Sequence, residues 1–284
     1  MTTMSVKHRG QLTSSVLQVL RGTDTLLKAC FAGPPPAESP MGKTLNSIAN
    51  RSPAWDGRKP IDSANSSIHR TMLAGMQHGL GLFNLARSKQ GFSVALATLA
   101  RGAVEAYSRV LWLIDANEPE QLVARHASLE YSDLRYPLNQ GVLMHLTSDL
   151  TPRIPVSEYR AAIDSYLDFH TLKRASFHQT DLATTLLAEL YAQPALIYSG
   201  LSATAHGQTW ATRNFFNVNT GELVEDEQML IEYCCHIIEA SILLADRFVA
   251  AYCPPSASRE RWDQIKSMAE HEIATFISRR EPAW

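Results

Sequence analysis

The most constraining stretch of this chain is GFSVALATLARGAVEAYSRVLWLID, residues 91–115. Phe92, Leu96, Leu99, Ala103, Tyr107, Val110 and Ile114 recur at helical spacing and form one apolar face. Between Gly91 and Ile114 only Arg101, Glu105 and Arg109 carry charge, at i, i+4 and i+8 on the opposite edge. A helix with so little charge is covered on most of its sides. Its few charges must then be paired, because an unpaired buried charge costs several kcal/mol or more. The stretch therefore predicts a large helical core with this segment inside it.

The rest of the sequence repeats the helical period. Helices are expected over 6–31, with Leu12, Val16, Leu20 and Leu27 in register, and over 63–88, with Ile68, Met72, Met76, Leu80 and Phe83 in register. Asp62 or Ser63 is expected to cap the second of these. Asn117 and Pro119 open another helix that bends or stops at Pro137, and Thr151, Pro152 and Pro155 mark a loop. Ser157 caps a helix to about Arg174, Thr180 and Asp181 open one to about Tyr191, and Pro194 starts one ending near Gly207. Asn219-Thr220-Gly221 lies between short β-prone runs and predicts a hairpin over 214–224. Glu225, Asp226 and Glu227 suit the start of a long helix to Tyr252, and Ser258 caps a final polar one. The expected fold is all-α: a bundle of eight or nine helices with one β-hairpin insertion.

The run GPPPAESPMG at 33–42 breaks the chain early, and SPAWDGRKP at 52–60 is a second irregular stretch. This divides the chain into an N-terminal helix with a Pro-rich linker, residues 1–61, and a bundle over 62–284. The first helix is expected to be an arm, and with the hairpin a contact element for a homo-oligomer.

The formal charge of -2, from 26 basic and 28 acidic residues, gives no electrostatic case for nucleic acid. The N-terminal MTTMSVKHRGQL has no apolar core of a signal peptide, and no stretch approaches the ~20 apolar residues of a membrane span. The expectation is a cytoplasmic chain with no membrane partner. Cys30, Cys234, Cys235 and Cys253 form neither a Cys-x-x-Cys pair nor a zinc spacing, and read as buried thiols. There is no Walker A loop, no GxGxxG, no GxSxG and no kinase motif set. No cofactor is expected.

Two polar stripes stand out. Arg101 and Glu105 offer a planar guanidinium for a phosphate and a positioned acid or base, although the same spacing serves an ordinary ladder worth ~0.2–0.5 kcal/mol per pair. In YSGLSATAHG, residues 198–207, Tyr198, Ser202 and His206 share a face among small residues. His206 suits acid–base work, or simply bonds the last carbonyls of its helix before Gly207. Arg125, near His126, Glu130, Tyr131, Asp133 and Arg135, either joins Arg101 in an anion site or lies on the surface. Glu232, His236 and Glu239 share a helix face, but no Glu-x-x-His occurs in the chain, so a solvated face is expected there and no metal site.

Taken together, LARGAVEAYSRVLWLID (99–115), the following helix with Arg125, and YSGLSATAHG resemble a group of uncharacterised all-helical bacterial proteins. These carry an Arg-x-x-x-Glu helix and a later Tyr-x-x-x-Ser-x-x-x-His segment. The likeness extends loosely to the HEPN-type helical domains of abortive-infection and toxin systems. It spans 63–250 in pattern, and its motif match is confined to the quoted segments. The resemblance implies a shared site of Arg101, Glu105, Tyr198, Ser202 and His206; in that site Glu105 and His206 are expected to be catalytic and Arg101, Tyr198 and Ser202 to bind, with Arg125 as a further binding candidate. It also implies a nuclease-like or phosphoester-acting role in bacterial defence or stress, with an anionic, phosphate-containing ligand. The ribonuclease Arg-His motif itself fails: Arg174 and His178 have three residues between them where that motif needs four to six. The other reading is a non-catalytic helical module in which the polar stripes only fix helix register. Both expect the two stripes to meet.

Overall fold

A computed structural model describes residues 6–88, 93–145, 153–224 and 226–277. Among them are twelve α-helices: α1 Val6–Phe31, α2 Pro40–Leu45, α3 Pro60–Ala86, α4 Ser93–Ile114, α5 Pro119–Asp133, α6 Arg135–Leu138, α7 Val156–Phe169, α8 Gln179–Ala188, α9 Pro194–Ala205, α10 Thr209–Thr212, α11 Glu227–Tyr252 and α12 Ser256–Ile277. The all-α expectation holds, with more helices than expected because α2, α6 and α10 are single short turns. No helix among the described residues is long and apolar enough to cross a membrane.

Helix α4 is the hub and packs against α3, α5, α8, α9 and α11. Ala100, Ala103, Val104, Tyr107 and Val110 are fully buried; Phe92 lies outside the described residues. Small residues allow the closest approach. A β-carbon added at Gly75 of α3 would come within 2.5 Å of the Tyr107 ring. Tyr107 is held in turn by a hydrogen bond from Ser241 Oγ of α11, 3.0 Å.

Helix α1 is no arm. It packs on α3, α11 and α12, and Leu12, Val16, Leu20 and Leu27 are all buried. The Pro-rich segment turns the chain without releasing it. Ser39 Oγ accepts from Gly42 N at 3.0 Å to cap α2, and Pro40 fits the first turn, where its missing N–H is not needed. Residues 46–59 are equally anchored. Asn50 Oδ1 accepts from Ile61 N, and buried Asp56 takes hydrogen bonds from Arg58 Nε and Ser63 Oγ. Trp55 Nε1 donates to Glu130 Oε2 of α5 at 2.7 Å. The boundary expected at 61 therefore falls inside one continuous core.

Other differences are local. Helix α3 starts at Pro60, so Asp62 and Ser63 sit inside its first turn and Lys59 occupies the cap position. Helix α7 stops at Phe169, short of Arg174. Thr171 takes φ 53° there, and Leu172 N closes onto Leu167 O at 2.8 Å. That is a left-handed helix stop built on threonine where glycine is usual. The hairpin pairs Phe216–Asn217 with Glu222–Leu223, with Gly221 at φ 70°. A second antiparallel pair, Leu143–His145 with Arg153–Pro155, was not expected. Thr151, Pro152 and Glu225 lie outside the described residues. Cys30, Cys234 and Cys235 are buried as expected, whereas Cys253 is exposed at the end of α11. Helix α12 is less polar in effect than in composition, since Trp262, Ala269, Ile273 and Phe276 are buried.

Two outcomes follow. Gly75→Ala should improve local helix propensity yet lower global stability, because the fully buried Tyr107 ring has nowhere to move. A loss of about 1–3 kcal/mol in urea unfolding is expected, and a gain would show the α3–α4 contact to be looser than described. Glu130 supplies the second. Burial opposes its charge, but His126, Trp55 and Tyr159 more than offset this and hold its pKa at about 2, below its ordinary 4.5. The folded-state pKa is depressed, so the contribution is complete above about pH 4.5 and disappears as pH falls toward 2. Glu130→Gln, followed by urea unfolding between pH 7 and 2.5, should lack that acid-dependent component; a variant as acid-sensitive as the parent would refute the assignment.

Candidate functional site

The two stripes meet. Helix α4 presents Arg101, Glu105 and Arg109 on the edge left open by its apolar contacts, and α9 crosses beside them. Arg101 Nε donates to Glu105 Oε1 at 2.8 Å, and the Tyr198 hydroxyl donates to the same oxygen at 2.8 Å. The other end of the guanidinium reaches His206: Arg101 Nη1 lies 2.6 Å from Nε2. A guanidinium has only donors, so Nε2 accepts and the ring proton of neutral His206 sits on Nδ1. His206 thus ends α9 with its backbone N bonded to Ser202 O, while its side chain leaves the helix for Arg101.

Burial opposes the Arg101 charge, but Glu105 and Tyr198 outweigh it, and its pKa is raised. Burial also raises the pKa of Tyr198, the Glu105 carboxylate adds to this, and Arg101 works the other way. The phenol is therefore a fixed donor. Glu105 Oε1 takes two charge-assisted hydrogen bonds, whereas Oε2 takes none among the described residues. The Arg101 and Glu105 side chains are 24% and 27% exposed, enough for a ligand to reach them.

Glu105 also lines a groove of about 360 Å³ between α3 and α4, with Arg70, Thr71, Ala74, His78, Gly102, Ala106 and Arg109. Gly102 makes room for the His78 ring, whose atoms lie 2.7–2.9 Å from where a β-carbon would stand. Arg109 is braced by Gln179 Oε1 at 2.8 Å and Asp133 Oδ2 at 2.9 Å. Gln179 Nε2 in turn donates to Glu105 O and Ser108 Oγ, each at 3.2 Å. Arg70 and His78 did not stand out in the sequence because the apolar stripe of α3 dominates it. Their signal was Arg70, Ala74 and His78 at i, i+4 and i+8 on α3.

The remaining sequence candidates lie apart. Ser202 is half-buried on α9, and its hydroxyl makes no hydrogen bond to the cluster. Arg125 does not join Arg101. Its Nη1 bonds Trp112 O at 2.5 Å, its guanidinium lies over the Trp112 ring, and Trp112 is eleven residues beyond Arg101, roughly 16 Å along the helix. Burial lowers the Arg125 pKa, and Asp115 partly restores it. The face of Glu232, His236 and Glu239 is not solvated as expected: His236 is buried with Nδ1 2.8 Å from the Tyr191 hydroxyl, and that hydroxyl also donates to Glu239. No group of three or more His, Cys, Asp or Glu among the described residues is placed to hold a metal ion.

Comparison with protein-family models, with curated proteins and with solved structures finds no match to this chain.

Tyr198→Phe removes one of the two donors to Glu105 Oε1 without changing shape. It should cost about 1 kcal/mol in urea unfolding, and Tyr198→Phe combined with Arg101→Gln should cost less than the sum of the two singles. Strict additivity would mean that Glu105 is not their common partner.

Proposed function

We propose that the α3–α4 groove binds a phosphate-containing ligand and that the protein acts on its phosphoester bond with Glu105 as the base. The observation that carries this is the split carboxylate. One oxygen is clamped by Arg101 and Tyr198, while the other has no partner among the described residues and sits on a residue that lines the groove. Clamping one oxygen fixes the position of the second, which is what proton abstraction from an incoming water or hydroxyl requires. Arg70 and Arg109 on the same walls suit the phosphate, and His78 is the imidazole available to protonate the leaving oxygen. In this reading His206 acts through Arg101, because its Nε2 is already occupied. The reading stays within the nuclease-like class that the HEPN-type resemblance implies, without its Arg-His motif.

One observation favours the non-catalytic alternative: the same hydrogen bonds tie α9 to α4, and Tyr198 is buried. A network of that kind would fix helix register whether or not a ligand binds.

Glu105→Gln separates the two. Glutamine keeps an acceptor for Arg101 and Tyr198 but cannot take a proton. The unfolding free energy should change by about 1 kcal/mol or less, while hydrolysis of bis(4-nitrophenyl) phosphate should fall about 10²–10⁴-fold. Wild-type protein that hydrolyses neither this diester nor 4-nitrophenyl phosphate, with a variant that is markedly destabilised, would leave the register role as the function of the cluster.

A further inference from the structure

A second cleft lies at the ends of α5 and α7. It has a volume of about 390 Å³ and is lined by Ser128, Tyr131, Ser132, Arg135, Arg160, Arg174 and the chain from Ala175 to Phe177. That volume falls in the roughly 300–1,000 Å³ range of small-molecule sites. Its arginines come from separate parts of the chain: Arg135 from α6, Arg160 from α7, and Arg174 from the extended segment after α7.

Three guanidiniums in one cleft repel one another unless something neutralises them. The described residues supply little. Arg174 Nε is 3.7 Å from Asp164 Oδ1, beyond hydrogen-bond distance, and both side chains are nearly half exposed. Arg135 and Arg160 have no carboxylate partner among the described residues. Arg160 Nε is buried and has no hydrogen-bond acceptor among them. A buried N–H aimed at nothing costs free energy, and such donors are ordinarily satisfied.

The positions of these groups are nevertheless fixed. The Arg160 and Arg174 guanidinium carbons lie 3.8 and 4.0 Å from the centroid of the Tyr131 ring. Stacking of this kind sets the guanidinium planes and leaves their N–H edges free. The segment carrying Arg174 is pinned by Ala175 N, which donates to the buried Ser128 Oγ at 2.8 Å, and Ser128 donates to Ala124 O at 2.6 Å. The cleft is thus a preorganised set of donors in excess of acceptors.

We infer that this cleft is a binding site for a phosphate dianion, either free or at the end of a small phosphomonoester. Guanidinium edges match tetrahedral oxyanions bidentately, and the Ser132 hydroxyl on the lining adds a neutral donor. Tyr131 is already engaged by two arginines, which argues against a nucleobase stacking on it. The site shares no lining residue with the Glu105 groove and does not rest on the function proposed for that groove.

The test is calorimetric titration of the full-length protein with inorganic phosphate and with phenyl phosphate, against sodium chloride at equal ionic strength. Arg135→Ala is exposed and safe for folding, Arg174→Ala is a second surface variant, exposed Arg259→Ala on α12 is the control outside both clefts, and Arg70→Ala reports on the groove. Saturable binding of at least one phosphate probe is expected, weakened roughly tenfold by each of the first two variants and unchanged by Arg259→Ala. Tighter binding of phenyl phosphate assigns an ester ligand, and equal or tighter binding of inorganic phosphate assigns the free ion; both support the site. The inference is overturned by absence of saturable binding, by binding that only Arg70→Ala weakens, or by a single-stranded oligonucleotide that binds through Arg135 and Arg174 while both small phosphates fail.

Discussion

The structure depends on burying one helix from five directions. Helix α4 touches α3, α5, α8, α9 and α11, and each contact removes a strip of its surface from water. What remains is a single edge, where Arg101, Glu105 and Arg109 must all lie. None of them can be left without partners at partial burial, so the neighbouring helices meet that edge with polar groups: Tyr198 and His206 from α9, Gln179 from α8, Asp133 from α5. Apolar burial fixes the helix, and the leftover charges then dictate where polar side chains of other helices must sit.

That logic explains what could be read from the sequence. The meeting of Arg101 and Glu105 with Tyr198 and His206 was legible because helical spacing places i, i+4 and i+8 on one face, and only one face of each helix was polar. Spacing does not say how far a side chain reaches or which way it turns. Arg125 shares a helix with polar neighbours, yet its guanidinium lies on Trp112 and bonds a carbonyl there. Ser202 lies between Tyr198 and His206 in register, yet it makes no hydrogen bond to Glu105. The place of α1 was illegible for another reason. Prolines at 34–36 mark a break in the helix, but whether the chain folds back after a break depends on distant contacts such as Trp55 with Glu130, which no local pattern encodes. The end of α7 was hidden because threonine occupies the left-handed position where glycine would have signalled a stop.

Glu130 and Glu105 show how surroundings assign a role to the same side chain. Glu130 Oε2 takes hydrogen bonds from Trp55 and Tyr159, and Oε1 lies 3.3 Å from buried His126. Both oxygens face protein groups, and the low pKa reflects a charge wholly engaged in holding α5, α7 and the 46–59 segment together. Among the described residues Glu105 is engaged through one oxygen alone. Its Oε1 is bonded as those of Glu130 are, while its Oε2 is left over beside a groove. Counting which carboxylate oxygens are engaged separates an acid wholly used in packing from one with an oxygen to spare more directly than burial does.

The same accounting applied to arginines separates the cleft at the ends of α5 and α7 from the rest of the described residues. Arg58, Arg101 and Arg109 each donate to a carboxylate at 2.8–2.9 Å, and Arg125 donates to a carbonyl. Arg135, Arg160 and Arg174 line one cleft, the last two stacked on Tyr131, with a single distant aspartate among the described residues. In a strongly basic protein such a cluster would be an unavoidable by-product of composition. This chain has a formal charge of -2, with acidic residues in excess, so carboxylates to neutralise three guanidiniums were not scarce. Their absence from the described lining of this cleft is a local property of the fold, and a local excess of oriented donors is the physical definition of a place where an anion lowers the free energy.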